Sequence, residues 1–290
     1  MRRVIPGFVM LALLVSAASG ETVAIRAARI LTMAGPEIEK GTVLIRDGKI
    51  VAVGAKVEVP EAARAIEAKK SVVMPAWIVP HAWRMVDRSN ERMPVVPLLS
   101  VVDSIDPDSL TMEQFRRDGV GTVGAFQGNA TQIGAQGCVL KPVGIEVSRM
   151  IVRRNAGLTI SLEPMRGSNR MAHTAAIRAV LDAIRPIVKE RAKLRKAKKD
   201  LPDLDPKLAP LVALLEGRTP AHIWCPRAMD VPRALKLIDT YGMKAVLVLG
   251  TECHKAASLI AEAKVPVILA DALEALFGAI WLDAGHEAAS

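Results

Sequence analysis

Apolar and polar residues alternate over Thr22–Arg26, and again over Thr42–Arg46 and Lys49–Val53, which flank Asp47-Gly48. Alternation of period two marks strands with one buried face. An Asp-Gly between β-branched runs marks a tight hairpin, because both turn residues need positive φ. Ala65–Ala68 and Ser71–Met74 continue the pattern, so residues 21–74 are expected to form a small antiparallel β unit. Past Pro75 the rhythm changes. Gly121–Phe126, Cys138–Pro142 and Gly157–Leu162 are short apolar runs of strand character. Ile177, Val180, Leu181 and Ile184 recur at spacings of three and four, which is one face of a helix. His222–Cys225, Lys244–Leu249 and Val265–Leu269 read as strands, with helices over Val231–Tyr241, stopped by Gly242, and over Glu252–Lys264. Strands alternating with helices imply right-handed βαβ units and a parallel sheet. Leu201–Pro206 and the stretch through Pro210 are expected to be a Pro/Asp-rich loop.

Composition narrows the class. The 290 residues are 51% apolar, 24% charged and 3% aromatic, with three cysteines. That much apolar content excludes a disordered chain, and three cysteines exclude a disulfide-built scaffold. The length suits one large α/β domain or two ordinary ones. Lys plus Arg is 39 and Asp plus Glu is 30, a formal +9. Most of the excess is local, because Arg185–Lys199 carries eight basic residues against Glu190. That run has no aromatic residue with which to read bases, so it is expected to be one solvated helix and its exit loop, not a nucleic-acid footprint.

Met1-Arg2-Arg3, the apolar run Val4–Val15 and the small residues Ser16–Gly20 have the form of a secretory signal peptide. The apolar run is shorter than the roughly 20 residues that span a bilayer. The expected outcome is cleavage and export to the periplasm or medium, with no membrane attachment afterwards; an uncleaved anchor is the alternative. Cys138, Cys225 and Cys253 form no C-x-x-C pair and are expected to be buried thiols acting as small apolar residues.

Three passages resemble the metal-dependent amidohydrolase superfamily, in particular its imidazolonepropionase- and prolidase-like members. The first runs from Gly41–Gly54 to Val73-Met-Pro-Ala-Trp-Ile-Val-Pro-His81, the second from Asp118–Val123 through Gly134–Gly137, and the third from Thr219 through Val248–Glu252 to Ile268. The resemblance implies an α/β fold, an incomplete TIM-like (β/α) barrel of up to seven strands, preceded by the small antiparallel unit. The domains then fall at 1–20 (signal peptide), 21–74 (part of a β-sandwich) and 75–290 (partial barrel). Barrel strands are expected near Val73, Val123, Val139, Ile160, Ile223, Val246 and Ile268.

In that family an H-x-H pair grips a metal because strand side chains i and i+2 share a face. The metal turns bound water into a nucleophile and polarises the scissile carbonyl. Carried over residue by residue, the resemblance places His81 at the first histidine of the pair and Trp83 at the second. Indole N–H donates only and cannot ligate. Val79 stands in place of an acid, Thr159 falls near the fourth-strand lysine, and Glu163 is out of register. Trp224 and Pro226 take the fifth-strand histidine positions with His222 upstream of them, and Leu249 takes the sixth-strand one. The eighth-strand aspartate belongs after residue 270. A catalytic zinc takes about three protein ligands, and His81 alone is retained. His81 is therefore expected to be a hydrogen-bonded structural residue, with Trp, Pro and Leu filling the barrel mouth.

The expected function is thus an amidohydrolase-like protein whose family reaction, hydrolysis of amide or other C–N bonds by metal-activated water, is impaired. No cofactor is expected, or zinc if the site works. The alternative is a non-catalytic binding or structural subunit. The missing last strand leaves two sheet edges, to be covered by Leu273–Trp281, by self-association or by a complementary subunit. No nucleic-acid partner is expected, and the sequence names no substrate. His173, His254 and His286 are the histidines from which a different site would be assembled; His254, next to Cys253 in a helical segment, is expected to be a surface or core filler. Asp103 and Asp106 read as a helix entry or turn, and Gly119-Val-Gly121 is too short a motif to be a dinucleotide loop.

Overall fold

A computed structural model describes residues 21–269. They divide into two compact units, residues 21–75 and 76–269. The expected signal peptide, the Leu273–Trp281 plug, His286 and any eighth-strand aspartate lie outside the described residues.

The first unit is a five-stranded sheet of β1 (Thr22–Ile30), β2 (Ile38–Glu39), β3 (Thr42–Arg46), β4 (Lys49–Gly54) and β5 (Arg64–Val73). Asp47 and Gly48 take φ of 53° and 72°, the turn that their sequence demands between β3 and β4. Ala27, Ile30 and Val43 form its small core, joined by Ile25, Ile45 and Ala68. The antiparallel expectation needs correction: β2 and β3 run antiparallel to β1, but β5 pairs with β1 in parallel. Residues 55–63 are long enough to carry the chain back along the sheet, which a two-residue turn cannot do.

The second unit is a mixed α/β assembly around a seven-stranded sheet. Its strands are β6 (Trp77–Ala82), β7 (Val120–Ala125), β8 (Ile133–Leu140), β9 (Ile151–Ser161), β10 (Ala221–Cys225), β11 (Ala245–Leu249) and β12 (Val267–Leu269), in spatial order from β12 to β6. Two expectations are corrected. The run at Val73 belongs to β5 in the other sheet, so β6 supplies the first strand here. The strand at Val139 is antiparallel to both neighbours, while β9 to β12 are parallel. The links on either side of β8 are short, the second holding only the one-turn helix α2 (Val147–Met150), so the chain reverses instead of crossing over.

Helices α1 (Leu110–Arg117), α3 (Arg170–Lys196), α4 (Ala209–Leu215), α5 (Val231–Tyr241) and α6 (Ala257–Ala263) complete the unit. Ile177, Leu181 and Ile184 of α3 are buried, as their spacing predicts, against Leu158, Ile160, Ile223, Leu247 and Leu249 of the sheet. Gly242 ends α5 with φ 63°. The basic run is the second half of α3, which passes through Pro186, and it is not wholly solvated. Arg195 and Arg218 reach the Glu216 carboxylate, 5% exposed, at 2.9 and 2.6 Å, with Arg191 at 3.7 Å. Burial pushes the Glu216 carboxyl up, but Arg195 and Arg218 more than offset it and hold it below the usual range. The expected loop gives way to α4 at Ala209, with Pro210 in its first turn. Glu252–Lys264 divides into a 3₁₀ stretch, Thr251–Ala256, and α6. Among the described residues no helix is long and apolar enough to cross a membrane.

Candidate functional site

Strand alternation decides where the polar residues of the sheet face. In register, Leu158, Ala221 and Ala245, and then Ile160, Ile223 and Leu247, point into the helix-packed core. The intervening Thr159, His222 and Val246 therefore face the other side. There His222 meets His81, near the end of β6, and Phe126, just after β7. The three rings form a tight triangle of near-parallel planes. Their centroids lie 4.7 Å apart for His81 and Phe126, 4.0 Å for Phe126 and His222, and 5.8 Å for the two histidines. Glycines on the flanking strands make the room. A Cβ on Gly157 would stand 2.4 Å from the His222 ring, and one on Gly137 would stand 2.4 Å from Phe126.

The histidine nitrogens are the unusual feature. Among the described residues, Nδ1 and Nε2 of His81 and Nδ1 of His222 are buried without a hydrogen-bond partner, as is the Thr159 hydroxyl beside His222 in register. The hydrogen bond expected of His81 is not formed among the described residues; Phe126 stacks on the face of its ring, an apolar contact that offers the ring nitrogens no partner. Burial lowers the His81 pKa to about 4. Burial, and then the neighbouring His81, lower that of His222 to about 3. Both rings are neutral near pH 7, with their lone pairs unprotonated. Sequence reasoning named His81 but set His222 aside, and it missed Phe126. An aromatic residue directly after an apolar strand was the available signal.

The remaining expected positions scatter. Trp83 lies past the end of β6, 40% exposed, with the Arg84 guanidinium 5.9 Å from its ring centre. Leu249 is buried in the core against the helices, so it does not fill a mouth as expected. Trp224 donates its indole N–H to Glu163 at 2.9 Å, which brings together two residues that the sequence left unrelated. Val79 packs in the apolar cluster around Met85 and Val123, and Pro226 is partly exposed.

His173 is a structural histidine. Its Nδ1 accepts from the Met165 N–H at 3.4 Å, so Nε2 carries the proton and donates to the Ser161 carbonyl at 2.9 Å. His254 is bonded locally, to the Thr251 carbonyl. Asp106 accepts from the Asp108 N–H in a turn, and Asp103 lies on the 3₁₀ turn Val101–Ser104, as expected of a helix entry. The three cysteines are buried and unpaired. Burial raises the Cys138 thiol to about 11 and pushes Cys225 up as well, so neither offers a thiolate.

Zinc is the group that the resemblance implies. Two imidazoles with free lone pairs are suitable donors, but a catalytic zinc needs about three protein ligands and an open position. Among the described residues no three His, Cys, Asp or Glu side chains come together as an ion site. Among the described residues the donor set around His81 and His222 is two imidazoles, fewer than a catalytic zinc takes, and does not fit one.

No protein-family model matches the chain, and no curated protein matches it. Solved structures do. An amidohydrolase from Thermotoga maritima MSB8 superposes with a TM-score of 0.77 at 24% identity, over 86% of this chain and 70% of that one. A prolidase complexed with N-methylphosphonate-L-proline gives 0.43 at 15% identity, over 92% and 69%. A further amidohydrolase gives 0.44 at 16%, over 92% and 71%. The first likeness shows that this chain shares the fold of that protein.

Proposed function

We propose that the chain is an amidohydrolase-like protein, built on a (β/α) barrel, in which metal-activated hydrolysis of C–N bonds is lost. One observation carries this reading. At the place where β6 and β10 present histidines, the third neighbour is Phe126, a residue that neither ligates an ion nor moves a proton. His81 and His222 are too weakly basic to hold a proton at neutral pH, so they supply no general acid there. Scaffold and fold survive in this account, while the chemistry of the site does not. The basic, apolar and small residues of positions 1–20 support export of the mature chain.

The test is hydrolysis of a panel of N-acyl amino acids, dipeptides and cyclic amides by the full chain, with zinc, manganese or cobalt supplied. No turnover above the metal-and-buffer rate is expected. Turnover that vanishes on His81→Ala would overturn the reading.

A further inference from the structure

Where β8 turns into β9, the chain leaves apolar side chains in the open. The turn is fixed at its base: the Lys141 N–H donates to the Met150 carbonyl at 2.9 Å, and the Val143 N–H donates to the Lys141 carbonyl at 2.8 Å. Pro142 and Met150 are buried, and Val147 packs on the cluster around Met85 and Met112. The turn thus hides three of its apolar residues, yet Val143 and Ile145 between them stand 65% and 76% exposed, and Val152 follows in the open on β9. Exposed apolar residues gathered in one place mark a contact surface, as scattered ones do not. β6 and β7 begin at this same end of the sheet, since Trp77 lies opposite Val120 and Val123 opposite Leu140, and Trp77 there is 60% exposed.

The charge around the turn is positive. Lys141 opens it, Arg149 stands near its close with a well exposed side chain, and Arg153 and Arg154 follow, exposed, on β9. The end of α1 adds Arg116 and Arg117, and the Arg116 guanidinium donates to the Pro142 carbonyl at 3.1 Å. These six cations stand against three acids, Glu113, Asp118 and Glu146. Two of the acids are already taken, Glu113 by Arg117 at 2.6 Å and Glu146 by Arg149 at 2.7 Å. An apolar tip flanked by Lys and Arg is complementary to a bilayer with anionic headgroups, where the apolar side chains pass below the headgroups and the cations stay among the phosphates. A soluble anion would engage the cations and leave Val143 and Ile145 in water. Tryptophan suits the headgroup level itself.

We infer that the β8–β9 turn is a peripheral contact for an anionic lipid surface, with Val143 and Ile145 inserted and the surrounding cations on the headgroups. Such a contact departs from the expectation of no membrane attachment after export, and it is independent of the histidine cluster and of any hydrolytic activity. A polarity-sensitive dye on Ile145→Cys of the full chain tests it, because the three native cysteines are buried. The control is the same dye on Met171→Cys, exposed at the start of α3 and so at the opposite end of β9. With mixed phosphatidylcholine–phosphatidylglycerol vesicles the Ile145 dye is expected to brighten and the Met171 dye to stay dim, even where the N-terminal apolar run enters the bilayer. In titrations read by the Ile145 dye, Val143→Asp is expected to raise the vesicle midpoint about tenfold or more. Arg153→Gln should raise it about fivefold, and pure phosphatidylcholine or high salt should weaken binding as well. A dim Ile145 dye, equal brightening at Met171, equal binding to pure phosphatidylcholine, or a midpoint unchanged by Val143→Asp would each overturn the contact. So would a dye already shielded without vesicles, which would assign the turn to a second copy or another protein.

Discussion

The second unit buries histidine in two contrasting ways. At the start of α3, His173 is fully enclosed with both ring nitrogens bonded to backbone, tying the helix to the end of β9. Across the sheet, His81 and His222 stack on Phe126, with three of their four nitrogens buried and, among the described residues, unpartnered. A buried imidazole that has partners is explained by its fold. One without them lowers stability by its desolvation and keeps its lone pairs for something else, or is the residue of a site whose other members have gone. The second explanation is the one that the proposed loss of the site entails.

The largest effect expected from this contrast is with pH. His81 and His222 have folded pKa values of about 4 and about 3, below the ordinary 6.5. Above pH 6.5 both are neutral in either state and stability is fully present. As the pH falls below that, the unfolded chain takes up protons that the folded one refuses, and stability is lost down to about pH 4 for His81 and about pH 3 for His222. The loss is on the order of 3 kcal/mol for His81 alone. Urea unfolding at stepped pH measures it, and His81→Leu/His222→Leu should flatten the profile.

Next in size is His173→Ala, which strands the Ser161 carbonyl and the Met165 N–H in a buried corner. It should cost about 2–4 kcal/mol in urea unfolding at pH 7. Gly157→Ala follows, at about 1–3 kcal/mol, because its methyl group forces the His222 ring aside. The smallest effect is that of His222→Leu at pH 7. Removing an unsatisfied nitrogen from an apolar stack should leave stability within about 1 kcal/mol or raise it. A loss as large as that of His173→Ala would show that His222 is bonded after all and would erase the distinction.

The parts of the fold that the sequence made legible are those governed by one local period. The α5 boundaries and the Gly242 stop follow from an amphipathic repeat and a left-handed cap, and the β3–β4 turn follows from Asp47-Gly48. Strand direction was less legible, because alternation is the same for parallel and antiparallel pairing; this is why β5 and β8 were misread. The site was half legible. Resemblance marked His81, whereas the approach of His222 and Phe126 depends on the register of β10 against β9 and on the space left by Gly137 and Gly157, neither of which a linear pattern encodes. Glu163, which looked out of register, proves to be the partner of Trp224 for the same reason.

The central claim is that, among the described residues, the imidazoles of His81 and His222 lack the companions that a divalent ion requires. Elemental analysis of the full chain, expressed with ample zinc and then dialysed, tests it most directly. The account predicts zinc far below one equivalent, unchanged by His81→Ala or His222→Ala. Close to one equivalent in the unaltered chain, lost in both variants, would contradict it.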